Sequence, residues 1–160
     1  MTLRPASSRD ADALWEMLRP VFRAGDTYTI EPEISREDAL AYWTGADHGT
    51  WIAERDGQAS GSYYLKTNQM GGGAHVCNCG FVTAPAAQGH GVARTMLDHA
   101  LETARAAGFA AMQFNFVVAT NARAIDIWTR AGFETVGRLP GAFRHPEKGF
   151  VDALVMYRRL

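Results

Sequence analysis

The segment that decides the fold is Val82-Thr83-Ala84-Pro85-Ala86-Ala87-Gln88-Gly89-His90-Gly91-Val92-Ala93, which leaves a predicted strand and opens a predicted helix. The first amides of a helix have no helical acceptor, and the helix dipole favours negative charge beside them. Glycines such as Gly89 and Gly91 let a diphosphate approach the backbone closely. The segment is compatible with a phosphate-binding loop or with a plain strand-to-helix turn, and its glycine content does not decide between the two.

Length, composition and charge narrow the class of protein. The chain has 160 residues, which fits one domain over residues 1–160. Its 16 Lys and Arg residues against 17 Asp and Glu residues give a net charge of −1, so we expect neither nucleic acid nor a membrane as a partner. No apolar run approaches the roughly 20 residues that span a bilayer, and residues 1–5 lack the apolar core of a signal peptide.

The two cysteines, Cys77 and Cys79, indicate a reducing compartment. On one strand they would point to the same face, where a disulfide between them would be strained. We therefore expect buried thiols and a cytoplasmic protein. No cluster of His, Cys, Asp and Glu has the spacing of a metal site, so no metal is predicted.

Hydrophobic periodicity and turn residues predict the order of the elements. Helices are expected from Ser7 or Ser8 to about residue 24 and over 36–43, 91–107 and 121–131. Strands are expected over 2–5, 50–54, 58–66, 74–83, 110–118, 133–138 and 151–159. This order predicts an α/β (α+β) fold, a mixed sheet of six to seven strands with about four helices packed on both of its faces.

Two segments of the second half carry more detailed predictions. The strand over 110–118 is predicted to alternate, with Met112, Phe114, Phe116 and Val118 on one side and Gln113, Asn115 and Val117 on the other. Residues 140–149 are predicted to form a loop before the last strand, and this loop contains His145.

Two spaced motifs decide how the glycine segment is interpreted. Its second half, Gln88-Gly89-His90-Gly91-Val92-Ala93, matches the pattern Gln/Arg-x-x-Gly-x-Gly/Ala. The segment from Asn121 to Phe133 matches Asn-x-x-Ala-x-x-x-Tyr-x-x-x-Gly-Phe, with Trp128 at the tyrosine position. Together the motifs resemble those of the GNAT superfamily of acyl-CoA-dependent N-acyltransferases, and the resemblance covers essentially the whole chain.

The resemblance implies a GNAT fold with an acetyl-CoA site. In this superfamily two neighbouring parallel strands, here 74–83 and 110–118, splay apart and admit the pantetheine arm. The residues implied to bind the cofactor are Phe81, Val82, Gln88, Gly89, His90, Gly91, Val92, Ala93, Arg94, Asn121 and Trp128. A backbone N–H near Phe81 or Val82 would polarise the thioester carbonyl. The amine would attack directly, without an acyl-enzyme, so catalysis would consist mostly of juxtaposition and proton removal.

The catalytic residues depart from the usual pattern of the superfamily. The predicted fourth strand has no carboxylate, and Trp128 replaces a tyrosine that commonly lies near the sulfur. Asn78 and Asn115, on the two strands that should flank the thioester, resemble asparagines of the yeast proline-analogue N-acetyltransferase group. That resemblance implies that they contact substrate or a catalytic water. It also implies that Asn121 contacts the cofactor, and Asn121 could equally cap its helix. Asn78 and Asn115 could instead be satisfied buried amides.

The remaining candidates lie in predicted loops. His145 is a candidate for substrate contact or proton relay, and Tyr28 and Glu31 lie in the early loop that usually walls the acceptor pocket in this superfamily. We expect acetylation of a small-molecule amine, an amino acid or a proline-like analogue. Acetylation of protein N termini or lysines, and acyl-CoA binding without turnover, remain alternatives. Relatives often form homodimers, so a homodimer is expected, although nothing in the sequence specifies an interface.

Overall fold

A seven-stranded sheet in the order β1-β2-β3-β4-β5-β7-β6 forms the centre of the computed structural model, which describes residues 1–160. The strands are β1 (Thr2–Pro5), β2 (Gly49–Arg55), β3 (Gln58–Thr67), β4 (Val76–Thr83), β5 (Ala111–Val118), β6 (Glu134–His145) and β7 (Gly149–Arg159). The helices are α1 (Ala11–Ala24), α2 (Arg36–Trp43), α3 (Val92–Ala106) and α4 (Ala122–Arg130). Every neighbouring pair of strands is antiparallel except β4 and β5, which confirms the predicted mixed sheet with a central parallel pair.

The helices cover both faces of the sheet, as predicted. α1 and α2 bury one face through a cluster that includes Leu14, Leu18, Phe22, Trp43, Tyr64 and Val82. α3 and α4 bury the other through a cluster that includes Cys77, Cys79, Met96, Leu97, Phe114 and Trp128. Because successive side chains of a strand alternate between faces, Val82 points toward α1 and α2 while Cys77 and Cys79 point toward α3.

Local signals fix the segment between α1 and α2, residues 25–35. α1 ends at Gly25, whose φ of 63° is the left-handed conformation that favours glycine. The Ser35 side chain accepts a hydrogen bond from Asp38 N at 3.0 Å and starts α2. The α1–α2 segment is therefore anchored at both ends.

Ser7 caps a short 3₁₀ turn, Ser8–Asp10, and α1 follows that turn.

β4 and β5 form a fork. Their parallel register ends at the pair Cys77 and Met112. On the other edge of β5, between Phe114 and Val117, the strand has one residue more than its partner β7, which makes a β-bulge. A bulge bends its strand and increases the local twist. β5 therefore leaves β4, and a gap opens beside the carboxyl-terminal half of β4.

The bulge corrects the predicted alternation of β5. Phe114 lies in the core under α3, but Val117 rather than Phe116 follows it there. The bulge at Asn115 and Phe116 adds one residue to β5, and this addition moves every later side chain of the strand to the opposite face. Phe116 instead faces β6, where its ring centroid lies 6.2 Å from that of Phe143.

The predicted loop over 140–149 is wrong. β6 continues to His145 and pairs with β7 down to a short turn, and a bulge over 139–143 absorbs the proline and glycine that indicated a loop. The carboxylate of Asp152 holds this bulge, because it accepts from Gly141 N at 2.9 Å and from Arg138 Nη1 at 2.7 Å. A proline is tolerated there since β6 is an edge strand.

Candidate active site

A cavity of about 320 Å³ occupies the fork between β4 and β5. The α1–α2 segment and residues of α2, β3, β4, β5 and α4 form its wall. Its polar side chains are Thr27, Tyr28, Thr29, Tyr42, Tyr64, Lys66, Asn78, Asn115 and Asn121, and its aromatic wall also includes Phe81, Phe114, Phe116 and Trp128. No Asp, Glu, Arg or His lines the cavity, so Lys66 is its one charged residue.

The backbone of β4 presents alternate groups to the gap. Ala84 N donates to Ser60 O at the β3 side, at 2.9 Å. The backbone N–H and C=O groups of successive residues point to opposite edges of a regular strand. The backbone groups of Val82 therefore face β3, like those of Ala84, whereas the backbone groups of Phe81 face the gap. Of the two backbone donors that the GNAT-like motifs suggest, the Phe81 N–H is therefore the one directed at the cavity.

The Tyr28 hydroxyl bridges both backbone groups of Phe81. It accepts from Phe81 N at 3.0 Å and donates to Phe81 O at 2.7 Å. Burial raises the pKa of Tyr28, so the hydroxyl stays protonated and can make both bonds. Tyr28 thereby ties the α1–α2 segment to the open edge of β4 and satisfies two groups that β5 has left.

Asn78 and Asn115 line the same cavity from the two arms of the fork. Asn78 Nδ2 donates to the backbone oxygen of Gln113 at 2.9 Å, which bridges β4 to β5 just beyond their last paired residues. Asn115 lies on the bulge, where its Nδ2 donates to Asn68 Oδ1 at 2.7 Å and its Oδ1 accepts from Gln113 Nε2 at 2.8 Å. The structure thus brings together the two asparagines that the sequence singled out.

α4 contributes a second side of the cavity. The Trp128 ring centroid lies 5.1 Å from that of Phe81 and 4.9 Å from that of Phe114, so the indole forms an apolar wall beside the gap. Asn121 accepts from Ala124 N at 3.2 Å and also lines the cavity. The predicted helix cap is confirmed, and a contact between Asn121 and a cofactor stays a prediction.

The glycine segment starts α3 as its motif predicts. Gly89 and Gly91 have φ values of 85° and 77°, and a Cβ added at either would meet nothing within 4 Å. The helix starts with a bond from Thr95 N to Gly91 O at 3.0 Å, so the amides of residues 92–94 have no helical acceptor. Gln88, His90 and Arg94 are exposed around this point. Open space beside left-handed glycines and orphan amides fits an anion such as a diphosphate.

Comparison with known proteins agrees with this geometry. The sequence model of the Acetyltransferase (GNAT) family matches residues 11–133. The chain belongs to the GNAT family. It is 35% identical over 148 residues to N-acetyltransferase aca1 of Schizosaccharomyces pombe, covering 82% of this chain and 71% of that protein.

Solved structures carry the same fold. A GCN5-related N-acetyltransferase from Kribbella flavida matches with a TM-score of 0.93 and 37% identity, over 99% of this chain and 97% of that one. The putative acetyltransferase yncA of Salmonella typhimurium, solved with acetyl-CoA, matches with a TM-score of 0.87 and 21% identity, over 100% and 94% of the two chains. The protein is therefore an N-acetyltransferase, and acetyl-CoA is the usual donor of its family.

Two of the predicted catalytic and substrate-binding residues lie outside the cavity. His145 is buried at the end of β6, where its Nδ1 accepts from the backbone N–H of Glu147 at 3.1 Å and of Lys148 at 3.2 Å. It holds the turn between β6 and β7. Glu31 is exposed in the α1–α2 segment, and its backbone oxygen accepts from Ile34 N at 3.0 Å. Neither side chain is brought to the cavity.

Five polar cavity residues were missed by sequence reasoning: Thr27, Thr29, Tyr42, Tyr64 and Lys66. Tyr64 lies across Gly80 of the neighbouring strand, where a Cβ on the glycine would overlap the tyrosine ring. A glycine in the middle of a strand was the available signal, since it marks the close approach of another group. The pairing of β3 with β4, which places Lys66 opposite Asn78, has no signal in either strand alone.

Cys79 is the one cysteine that lines the cavity. Burial raises the pKa of Cys77 to about 12 and raises that of Cys79 well above its usual value. A thiol attacks as its thiolate, so neither cysteine is prepared to carry an acyl group at neutral pH.

No group of three or more His, Cys, Asp or Glu side chains is arranged to hold a metal ion. No helix has the length and apolar character needed to cross a membrane.

Replacement of Cys79 by alanine tests direct transfer. Because the raised pKa keeps the thiol protonated, we expect Cys79→Ala to retain the wild-type rate of free CoA release within roughly fivefold, under about 1 kcal/mol of activation free energy. Alkylation of wild-type Cys79 by iodoacetamide should begin only above the pH range of an ordinary thiol, as followed by peptide mass spectrometry. A trapped acetyl group on Cys79 would establish an acyl-enzyme instead, and loss of turnover in a folded variant would contradict the expected result.

Proposed function

We propose that this GNAT enzyme transfers the acetyl group of acetyl-CoA directly to the amine of a small molecule, an amino acid or a proline-like analogue. The observation that carries the proposal is one continuous cavity with two different ends. One end lies along the open edge of β4 beside Phe81 and Trp128. The other lies among the polar side chains of the α1–α2 segment, α2 and β3. A donor and a small acceptor would meet between these ends.

The residues at the first end fit acetyl-CoA. An extended pantetheine arm can pair with the open edge of β4 as an added strand would, and the start of α3 fits the diphosphate. The bound donor would supply an activated thioester carbonyl. The Phe81 N–H is the backbone donor directed toward that region, in the role of a small oxyanion hole.

The second end favours a small acceptor. Thr27, Tyr28 and Thr29 wall the cavity from the α1–α2 segment, and Tyr28 fastens this segment to β4. A peptide acceptor would need an open groove on this side. The resemblance of Asn78 and Asn115 to asparagines of the proline-analogue group also supports an amino acid or a cyclic analogue.

The cavity has no carboxylate base that could remove the amine proton, because no Asp or Glu lines it. Burial raises the pKa of Tyr28 and of Tyr64, so these hydroxyls are not bases at neutral pH. An asparagine has no basic group either, but its amide can orient a water. We infer that Asn78 or Asn115 orients a water that takes the proton and passes it to solvent.

A turnover screen tests this function. Release of free CoA is measured with amino acids, proline analogues, polyamines, antibiotics and short peptides as acceptors. The proposal expects the highest kcat/KM with a small amine that is an amino acid or its analogue. A faster reaction at peptide N termini or lysines would identify a protein acetyltransferase. Tight acetyl-CoA binding without turnover of any acceptor would identify a binding module.

Gly91→Leu should weaken acetyl-CoA binding, because its side chain would fill the open space beside the first amides of α3. Gly108→Leu is a matched control, since Gly108 has a φ of 84°, has equally open surroundings and lies beyond the other end of α3. Both variants should lose similar stability through backbone strain. Calorimetry should show a loss of about tenfold or more in affinity, about 1.4 kcal/mol, for Gly91→Leu alone. Equal affinities would remove the glycine segment from the cofactor site.

Asn78→Ala and Asn115→Ala should each lower turnover of the acceptor by about 10²-fold or more, the lower range for a positioned acid–base element. Acetyl-CoA affinity should barely change, because neither asparagine belongs to the glycine segment. Loss of water orientation should lower kcat, whereas loss of a grip on the substrate should raise its KM. Asn68→Ala is the control, since Asn68 bonds Asn115 but does not line the cavity. Near-normal activity of both folded variants would place proton transfer elsewhere.

A further inference from the structure

Lys66 is the one charged side chain of the cavity, and the proposed reaction does not use it. It lies on β3 and is half-buried. Its ammonium group takes part in none of the ion pairs of the structure, so no carboxylate of the chain compensates its charge. An uncompensated, half-buried cation in a cavity with seven aromatic side chains and no carboxylate indicates that its counter-charge comes with a ligand.

The position of Lys66 is set by its neighbours. Lys66 is paired with Asn78 in the register of β3 and β4, so the two side chains leave the same face of the sheet side by side. Tyr64, two residues earlier on β3, shares that face, and Lys66 Nζ lies 5.9 Å from its ring centroid. The ring orients the ammonium without neutralising it. The amide of Asn78 adds a hydrogen-bonding group beside the charge.

The phosphates of the donor are not the counter-charge. Asn78 lies five residues before Thr83, the end of β4, which is about 16 Å at the rise of a β-strand. Gly89 and Gly91, beside which the diphosphate would bind, follow only after that end. Tyr64 packs on the face covered by α1 and α2, whereas α3 covers the opposite face. Lys66 therefore lies at the acceptor end of the cavity, on the far side of the sheet from α3.

We propose that Lys66 binds a carboxylate of the acceptor, which makes amines that carry a carboxylate the substrate class of this enzyme. The assignment rests on the proposed function, because it concerns the acceptor end of the same cavity. A carboxylate held by Lys66 and the Asn78 amide gains a charge-assisted hydrogen bond beside a half-buried ammonium group. The amine of the same molecule is then directed away from Lys66, toward the fork where the donor would lie.

The same charge excludes another class of acceptor. A diamine or polyamine would bring a second ammonium group to the Lys66 end, where the cavity has no carboxylate to receive it. Like charges in a partly desolvated pocket repel each other. Lys66 thus selects for an acid and against a polyamine by one interaction.

The test compares Lys66→Gln with Lys148→Gln, the only other lysine of the chain, which is exposed in the turn between β6 and β7 and does not line the cavity. The acceptors are proline with prolinamide and glycine with glycinamide, two pairs in which the carboxylate alone is removed. Wild-type enzyme and Lys148→Gln should prefer the acids. Lys66→Gln should raise KM for the better acid about 10- to 100-fold and leave its carboxamide nearly unchanged. Lys66→Arg should restore much of the preference, because it keeps the charge.

Two results would overturn the assignment: equal use of acid and carboxamide by the wild type, or an acid preference that persists in Lys66→Gln. Binding to protein saturated with CoA, measured by calorimetry, decides the assignment independently of turnover. Proline binding that Lys66→Gln abolishes supports it, and absent or unaltered proline binding contradicts it. Failure of all four acceptors in turnover, with proline binding intact and dependent on Lys66, would count against the proposed reaction and not against the carboxylate site.

Discussion

One extra residue in β5, at Asn115 and Phe116, keeps that strand from following β4 beyond the pair Cys77 and Met112. A closed pair would satisfy its own backbone groups and leave no room for a ligand. An open pair exposes polar groups, and each one left without a partner in a buried site costs about 1–3 kcal/mol. The fork therefore persists because other groups occupy its edges. Asn78 bridges the two strands at the point where they part, and the Tyr28 hydroxyl serves both backbone groups of Phe81.

The bond between Tyr28 and Phe81 links the two ends of the cavity. If a thioester carbonyl accepts from the Phe81 N–H as proposed, it would take the place of the Tyr28 hydroxyl, since one N–H cannot serve both fully. Tyr28 belongs to the α1–α2 segment, which walls the acceptor end. Binding of the donor in this pose would therefore loosen the hold of this segment on β4. The segment is anchored by Gly25 and Ser35 at its ends, so its middle is the part that can adjust.

The sequence predicted those parts of the site whose causes are local. Left-handed glycines, orphan amides at a helix start and the cap formed by Asn121 depend on a few consecutive residues, and all of them lie where the motifs indicated. The bulge in β5 could not be predicted from β5 alone, because it exists only where β5 has one residue more than the paired strand β7. The continuation of β6 depends on Asp152 in the partner strand, and Lys66 becomes a cavity residue only through its register with Asn78. Pairing between distant segments, not composition, decided each of these points.

The charges of the cavity bear on how an amine could react there without a carboxylate base. In a free amino acid the carboxylate stabilises the neighbouring ammonium and so holds the proton on the nitrogen. If Lys66 pairs with the carboxylate, that stabilisation weakens, and the ammonium finds no Asp or Glu in the cavity to replace it. Its pKa then falls toward the pH of the solution, and a water oriented by Asn78 or Asn115 becomes a sufficient proton acceptor. The cation that selects the substrate would in this way also favour the reactive, neutral form of its amine.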